Sequence, residues 1–482
     1  MTVDRPNPTR TEGIMTDQSP PRFPPDFLFG TATAAYQIEG AAREGGRGPS
    51  IWDTYSRTPG KVARGESGDV ACDHYHRYEE DVALLKELGV DTYRFSIAWP
   101  RVIPDGAGEV NPEGLAFYDR VVDALREAGI EPVATLYHWD LPQALEDGGG
   151  WRVRETAHHF AAYARVVADH LGDRVERWIT LNEPHCTAFV GHAVGRHAPG
   201  TREGTPALAV AQHLLLAHGL AARELRASAA EHGREAEVGI TLNPDRLLPA
   251  TDSPEDAAAV DRAETLHNRV WLDPLLRGVY PDNEEATWGP MADGGYREPG
   301  DLSVIAQPLD FLGLNFYRPI RLRDAPVPEG PDRTAVDIGV EEVPIEGVRH
   351  TTMGWPVVPS SFTDLLVDLR RRYPELPPIH ITENGSAEPD EPGPDGVVHD
   401  TDRIAYLRDH LSALADAIAA GVDVRGYFVW SLLDNFEWAY GYERRFGIVS
   451  VDYDTLTRTP KDSYHWYRDL IREHKRRRAS IG

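Results

Sequence analysis

Short apolar runs alternate with amphipathic stretches along most of the chain. The runs at 27–34, 91–99, 132–138, 178–183, 238–243, 311–317, 379–383 and 426–430 have the length and composition of buried strands. Between and after them, helical periodicity covers 75–88, 112–128, 155–171, 207–232, 255–271, 361–373, 401–420 and 463–474. Val82, Leu85 and Leu88 illustrate the spacing, three residues apart with charges on the opposite face. Eight strand–helix alternations predict a parallel sheet closed on itself, an α/β fold of the (β/α)8 TIM-barrel type. Pro-, Gly- and acid-rich segments at 58–69, 283–302, 321–350 and 387–399 read as long loops, several of them after strand ends, where they can wall a cleft. We read one barrel domain over 23–474, a disordered polar tail over 1–22 and a basic tail over 475–482. Met15 is as plausible a start as Met1.

Composition narrows the function. The chain has 482 residues, 41% hydrophobic and 26% charged, and no apolar run long enough to span a bilayer. Its net charge of −27 would repel phosphate backbones and anionic lipid, so neither nucleic acid nor a membrane is an expected partner. Two cysteines, Cys72 and Cys186, are too few for a disulfide framework or a Cys-rich zinc site. With no secretory signal in 1–22, a cytoplasmic location is expected. The glycine clusters at 45–48 and 148–150 match no nucleotide-binding fingerprint, and no cofactor is expected. Asp73, His74 and His76 could suggest a metal, but positions two apart do not share a helical face and Asp73 reads as a helix N-cap; we expect no metal. The cations at 475–478 suit the end of a last helix. Asn384-Gly385-Ser386 fits a glycosylation sequon but abuts the candidate site described next.

In a barrel of this kind the reactive groups sit at the C-terminal ends of strands. Glu183, in Leu181-Asn182-Glu183-Pro184, closes the fourth run, and Glu383, in Thr382-Glu383-Asn384-Gly385, closes the seventh. Two carboxyl groups facing each other across a barrel mouth can cleave a glycosidic bond. One donates a proton to the departing oxygen while the other, ionised, attacks or stabilises the oxocarbenium-like centre; at about 5 Å separation the outcome is retention.

With these motifs in hand, the chain resembles glycoside hydrolase family 1, the β-glucosidases and their relatives. The matching stretches are Phe27 through Gly40, Tyr93-Arg94-Phe95-Ser96-Ile97-Ala98-Trp99, Tyr137-His138-Trp139-Asp140-Leu141-Pro142, Leu181-Asn182-Glu183-Pro184, Asn315-Phe316-Tyr317, Thr382-Glu383-Asn384-Gly385, and Trp430 through Trp438. The resemblance implies a retaining exo-β-glycosidase on small β-glucosides or oligosaccharides, with Glu183 as general acid/base and Glu383 as nucleophile. It implies that Arg94 and Tyr317 hold Glu383 ionised and that a less polar pocket raises the pKa of Glu183. Asn182 is then the partner of the sugar 2-hydroxyl; Gln37, His138, Glu437 and Trp438 hold other hydroxyls, and Trp430 lies under the ring. Asn315 and Phe446 are supporting positions. An anionic Glu437 is expected to repel a 6-phosphorylated sugar, despite Arg444 and Arg445 nearby. Where many members have Trp after Asn-Glu-Pro, this chain has His185, then Cys186. Glucose, galactose and fucose remain open as the terminal sugar, as do transglycosylation and homo-oligomerisation.

Overall fold

All eight apolar runs become strands of one closed parallel barrel: β1 (Leu28–Ala32), β2 (Thr92–Ser96), β3 (Glu131–Tyr137), β4 (Arg177–Asn182), β5 (Glu237–Leu242), β6 (Phe311–Asn315), β7 (Ile379–Asn384) and β8 (Val424–Trp430). Each pairs with its sequence neighbours, and β1 closes the ring on β8, with Ala32 opposite Trp430. The computed structural model describes residues 21–328 and 330–481. Most of the tail read over 1–22, with Met1 and Met15, therefore lies outside the described residues. Among those residues, no helix is long and apolar enough to cross a membrane.

The strands are buried on both faces, because side chains fill the barrel interior and helices cover its outside. The covering helices are α1 (His74–Leu88), α2 (Pro112–Glu127), α3 (Glu155–Leu171), α4 (Thr205–His232), α5 (Pro254–Glu264), α6 (Val270–Arg277), α7 (Ser360–Arg372), α8 (Thr401–Ala419) and α9 (Asp462–Ile481). Their ends follow local chemistry. Helix α2 begins where the Asn111 side chain accepts from the Glu113 N–H, with Pro112 in the first turn, and α5 begins where Ser253 accepts from Asp256. Helix α1 stops at Gly89, whose φ of 79° suits a residue without Cβ.

Three local readings differ from the sequence expectation. The helix expected over 255–271 breaks into a wide turn, Thr265–Arg269, before α6. There the Asn268 side chain accepts from the Asp245 N–H and donates to its carbonyl, fastening the helix to the loop after β5. Asp73 occupies the N-cap position of α1 but does not cap with its side chain; its φ is 54° and its carboxylate accepts from His76 Nδ1 at 2.6 Å. Residues 475–481 form no separate tail but continue α9, and Lys475 is tied to the Gly89 carbonyl and to Asp91, each at 2.8 Å.

Two irregularities matter for the barrel mouth. The strand register shifts between Ile179 and Asn182 in β4 and between Ile381 and Glu383 in β7. Such bulges re-aim side chains, and here they stand at the two strand ends that carry the candidate glutamates. Just beyond β7, a Cβ on Gly385 would lie 1.8 Å from the Trp430 carbonyl oxygen, so only glycine lets β7 and β8 approach this closely. Replacing Gly385 with Ala is expected to lower unfolding free energy by about 1–3 kcal/mol, measured by urea denaturation; an unchanged midpoint would contradict the close approach.

Candidate active site

A cavity of about 350 Å³ opens at the C-terminal ends of the strands. Its walls include His138, Glu183, Tyr317, Glu383, Trp430 and Glu437. Glu183 follows β4 directly with a φ of 43°, and Trp139 and Trp438 are also left-handed, at 75° and 49°. Each such non-glycine residue costs on the order of 1–2 kcal/mol, so surrounding bonds must enforce it. For Glu183 one of them is its N–H donating to the Thr241 carbonyl at 2.9 Å.

The two glutamates belong to one buried hydrogen-bonded assembly. Arg94, from β2, donates through Nη1 to Glu383 Oε1 at 2.7 Å and through Nη2 to Asn182 Oδ1 at 2.6 Å. The Tyr317 hydroxyl donates to Glu383 Oε2 at 2.7 Å. Asn315, at the end of β6, donates to Glu183 Oε1 at 2.7 Å and to Asn182 Oδ1 at 3.2 Å, while its own Oδ1 accepts from Thr382. On the remaining Glu183 oxygen, the Cys186 thiol donates at 3.2 Å. Asn182 thus stands between the glutamates, its amide nitrogen 3.0 Å from His138 Nε2.

Burial raises the pKa of both carboxyl groups, but their neighbours differ. Glu183 is raised further by Glu383, with Asn315 and Cys186 opposing. For Glu383, burial is opposed by the charge of Arg94 and by hydrogen bonds from Tyr317, Arg94 and Asn315. The expected donors are in place, although burial outweighs them, so they act by setting Glu383 below its partner. A single negative charge shared by the pair therefore resides on Glu383, and the proton on Glu183. Burial and Arg94 together hold His138 neutral.

The other expected residues gather at the same mouth. Trp430 and Trp438 lie near the His138 ring, each with a centroid separation of 5.9 Å and nearly parallel planes. Gln37 is fully buried, its amide donating to Asn435 Oδ1 and the Phe436 carbonyl. Among the described residues, the polar atoms buried here with no partner include Gln37 Oε1, His138 Nδ1 and Glu437 Oε2. Phe446 lies edge-on to Tyr317 at 6.0 Å and supports it from the loop after β8.

One electrostatic expectation changes. Burial, followed by Glu383 and Glu183, pushes Glu437 up to about 8, so it is largely protonated at neutral pH. Its charge alone is a weaker barrier to a phosphorylated sugar than the sequence suggested, because buried acids nearby suppress its ionisation.

Sequence reasoning missed several wall residues: Trp139, Asn243, Asp245, His267, Arg318 and Trp355. Asn243 directly follows the end of β5, so the strand-end rule that found the glutamates also reaches it. His185 stacks on His267, with ring centroids 4.8 Å apart. His74 bonds Asp81, which also pairs with Arg458. Among the described residues, no three His, Cys, Asp or Glu side chains are grouped to hold a metal.

The raised Glu437 links pH to stability. Its folded-state proton is retained up to about 8 while the unfolded carboxyl loses it near 4.5, so stability falls as pH rises across that window. E437Q is expected to flatten this fall, measured as the denaturation midpoint against pH; parallel curves for the variant and wild type would contradict the assignment.

Comparison with known proteins agrees with this geometry. Residues 19–476 match the profile of Glycosyl hydrolase family 1. A bifunctional β-D-glucosidase/β-D-fucosidase of Bifidobacterium breve is 50% identical over 468 residues, covering 94% of this chain and 99% of the relative. Beta-glucosidase A of Acetivibrio thermocellus is 46% identical, covering 94% of this chain and 98% of its own. Among solved structures, the psychrophilic β-glucosidase BglU from Micrococcus antarcticus superposes with a TM-score of 0.89 at 48% identity, covering 94% and 98% of the two chains. The barrel, the paired strand-end glutamates and these likenesses together assign the chain to glycosyl hydrolase family 1, and it is a glycosidase.

Proposed function

We propose that this glycosidase releases terminal β-D-glucosyl residues from small β-glucosides or oligosaccharides, with retention of anomeric configuration. The observation that carries the reading is the asymmetry of the glutamate pair. Both oxygens of Glu383 receive strong donors, Arg94 and Tyr317, whereas Glu183 has the amide of Asn315 and a weak thiol donor. Glu383 attacks the anomeric carbon while the Glu183 proton passes to the departing glycosidic oxygen, leaving a glycosyl ester on Glu383. Glu183, now ionised, takes a proton from water; the water oxygen attacks the anomeric carbon and Glu383 leaves as carboxylate. An alcohol in place of that water gives transglycosylation.

The unpartnered Gln37 Oε1, His138 Nδ1 and Glu437 Oε2 suit a hydroxyl-rich ligand, since each is a buried polar atom awaiting a bond. A protonated Glu437 can donate to one hydroxyl and accept from another. Trp430 offers a face for the sugar ring, and Asn182, fixed by Arg94 and Asn315, is the partner of the 2-hydroxyl. Fucosidase activity accompanies this reading because the Bifidobacterium breve relative carries both activities in its name. Galactosides are a further side activity.

Two substitutions test the roles. E383A should lower kcat by at least about a thousandfold with folding intact by circular dichroism; near-normal turnover would remove Glu383 as nucleophile. E183A should lose about 10²–10⁴-fold on disaccharides but much less on aryl glycosides with acidic leaving groups. Equal losses on both substrates would contradict its role as acid.

A further inference from the structure

Cys186 sits in the first turn after Asn182-Glu183-Pro184, half-buried at the cavity wall, and its N–H donates to the Glu183 carbonyl at 2.9 Å. Its sulfur lies 3.2 Å from Glu183 Oε2 and 3.9 Å from the Asn243 amide nitrogen. These contacts define a direction. The Asn243 amide donates toward the sulfur, which leaves the thiol hydrogen free to point at Glu183. On the other side of the carboxyl, Asn315 donates to Oε1 and so disfavours a proton there. The transferable proton of Glu183 therefore belongs on Oε2, the oxygen that faces sulfur.

We propose that Cys186 is a positioning residue for Glu183, a thiol that partners Oε2 in both of its protonation states. When Glu183 is the acid, its O–H donates to sulfur; when it is the base, the S–H donates to the carboxylate. A thiol can do both because it is a weak donor and a weak acceptor, and its weakness keeps it from competing with substrate for the proton. The net bias favours the carboxylate, since a hydrogen bond to a charged acceptor is the stronger of the two. The inference rests on the reading of Glu183 as acid/base and adds to it the group that tunes that acid.

Several other groups face this pair: Glu383 from β7, Arg94 from β2, Asn315 and Tyr317 from the end of β6, Asp245 and Asn243 from the loop after β5, and Glu437 from the loop after β8. All of them are retained when Cys186 is replaced, so a shift in the pH profile reports on the thiol.

The test is the pH dependence of kcat/KM for wild type, C186A, C186S and E183Q, with thermal unfolding as a folding control. The alkaline limb reports loss of the acid's proton in the free enzyme. C186A should move that limb to higher pH by roughly half a unit, the scale of a weak hydrogen bond to a charged acceptor. C186S retains a donor and should hold the limb at or below its wild-type position. A C186A limb that coincides with wild type, or a C186S limb displaced upward, overturns the proposal; C186S alone decides if C186A does not fold. E183Q separates the two levels of the argument. Because Glu437 titrates near 8 on its own account, E437Q is combined with it: if an alkaline limb persists in the E183Q/E437Q double variant, the assignment of Glu183 as acid fails. If that limb is lost in the double variant yet unmoved in C186A, only the role of the thiol fails.

Discussion

The site depends on one buried fork. Arg94 is 1% exposed, and its guanidinium reaches both Glu383 and Asn182 from the inside of the barrel. Burying a cation is expensive unless paired, and burying Glu183, Glu383 and Glu437 close together multiplies the cost. The fork offsets part of this by holding Glu383 as an ion. It also fixes Asn182, whose Oδ1 accepts from Arg94 and from Asn315. The division of labour proposed for the two glutamates rests on which one receives a cation. Both lie at bulged strand ends; only Glu383 is bonded to Arg94, while Glu183 is left with neutral partners.

A second charged assembly holds the mouth from outside. Arg403, on α8, donates to the Ser386 carbonyl just past β7 and to the Arg445 carbonyl beside Phe446. It pairs with Asp390 and Asp400, while Lys461 bonds Asp434 at 2.7 Å and also Asp390. Asp434 in turn accepts from the Gly447 N–H and from Arg445. These ions, buried apart from the half-buried Arg445, contribute little net stability compared with an apolar core of the same volume. What they supply is a fixed geometry for the loops after β7 and β8, which carry Trp438, Glu437 and Phe446 to the cavity.

The barrel was legible because a strand buried on both faces is mostly apolar, and all eight runs were, with buried polar members such as Arg94, His380 and Thr382 as exceptions. Boundaries were less so: the break at Thr265–Arg269 depends on Asn268 reaching the loop after β5, a contact between segments that periodicity cannot register. The strand-end rule located Glu183 and Glu383, and motif likeness supplied Arg94, Asn315 and Tyr317. The protonation of Glu437 was not legible, because it follows from the summed field of acids distant in the chain. Nor was the thiol contact, since Cys186 looked only like a departure beside His185. Its meaning depends on which Glu183 oxygen Asn315 occupies.

The central claim is that Glu383 forms a covalent bond to the sugar. A 2-deoxy-2-fluoro-β-glucoside with a good leaving group should slow both steps yet let the ester accumulate, because fluorine destabilises the oxocarbenium-like transition states. Mass spectrometry of the treated protein, followed by peptide mapping, should find one added fluoroglucosyl group on the peptide containing Glu383. A label on any other residue, or complete turnover with no adduct and release of the inverted anomer, would contradict the account.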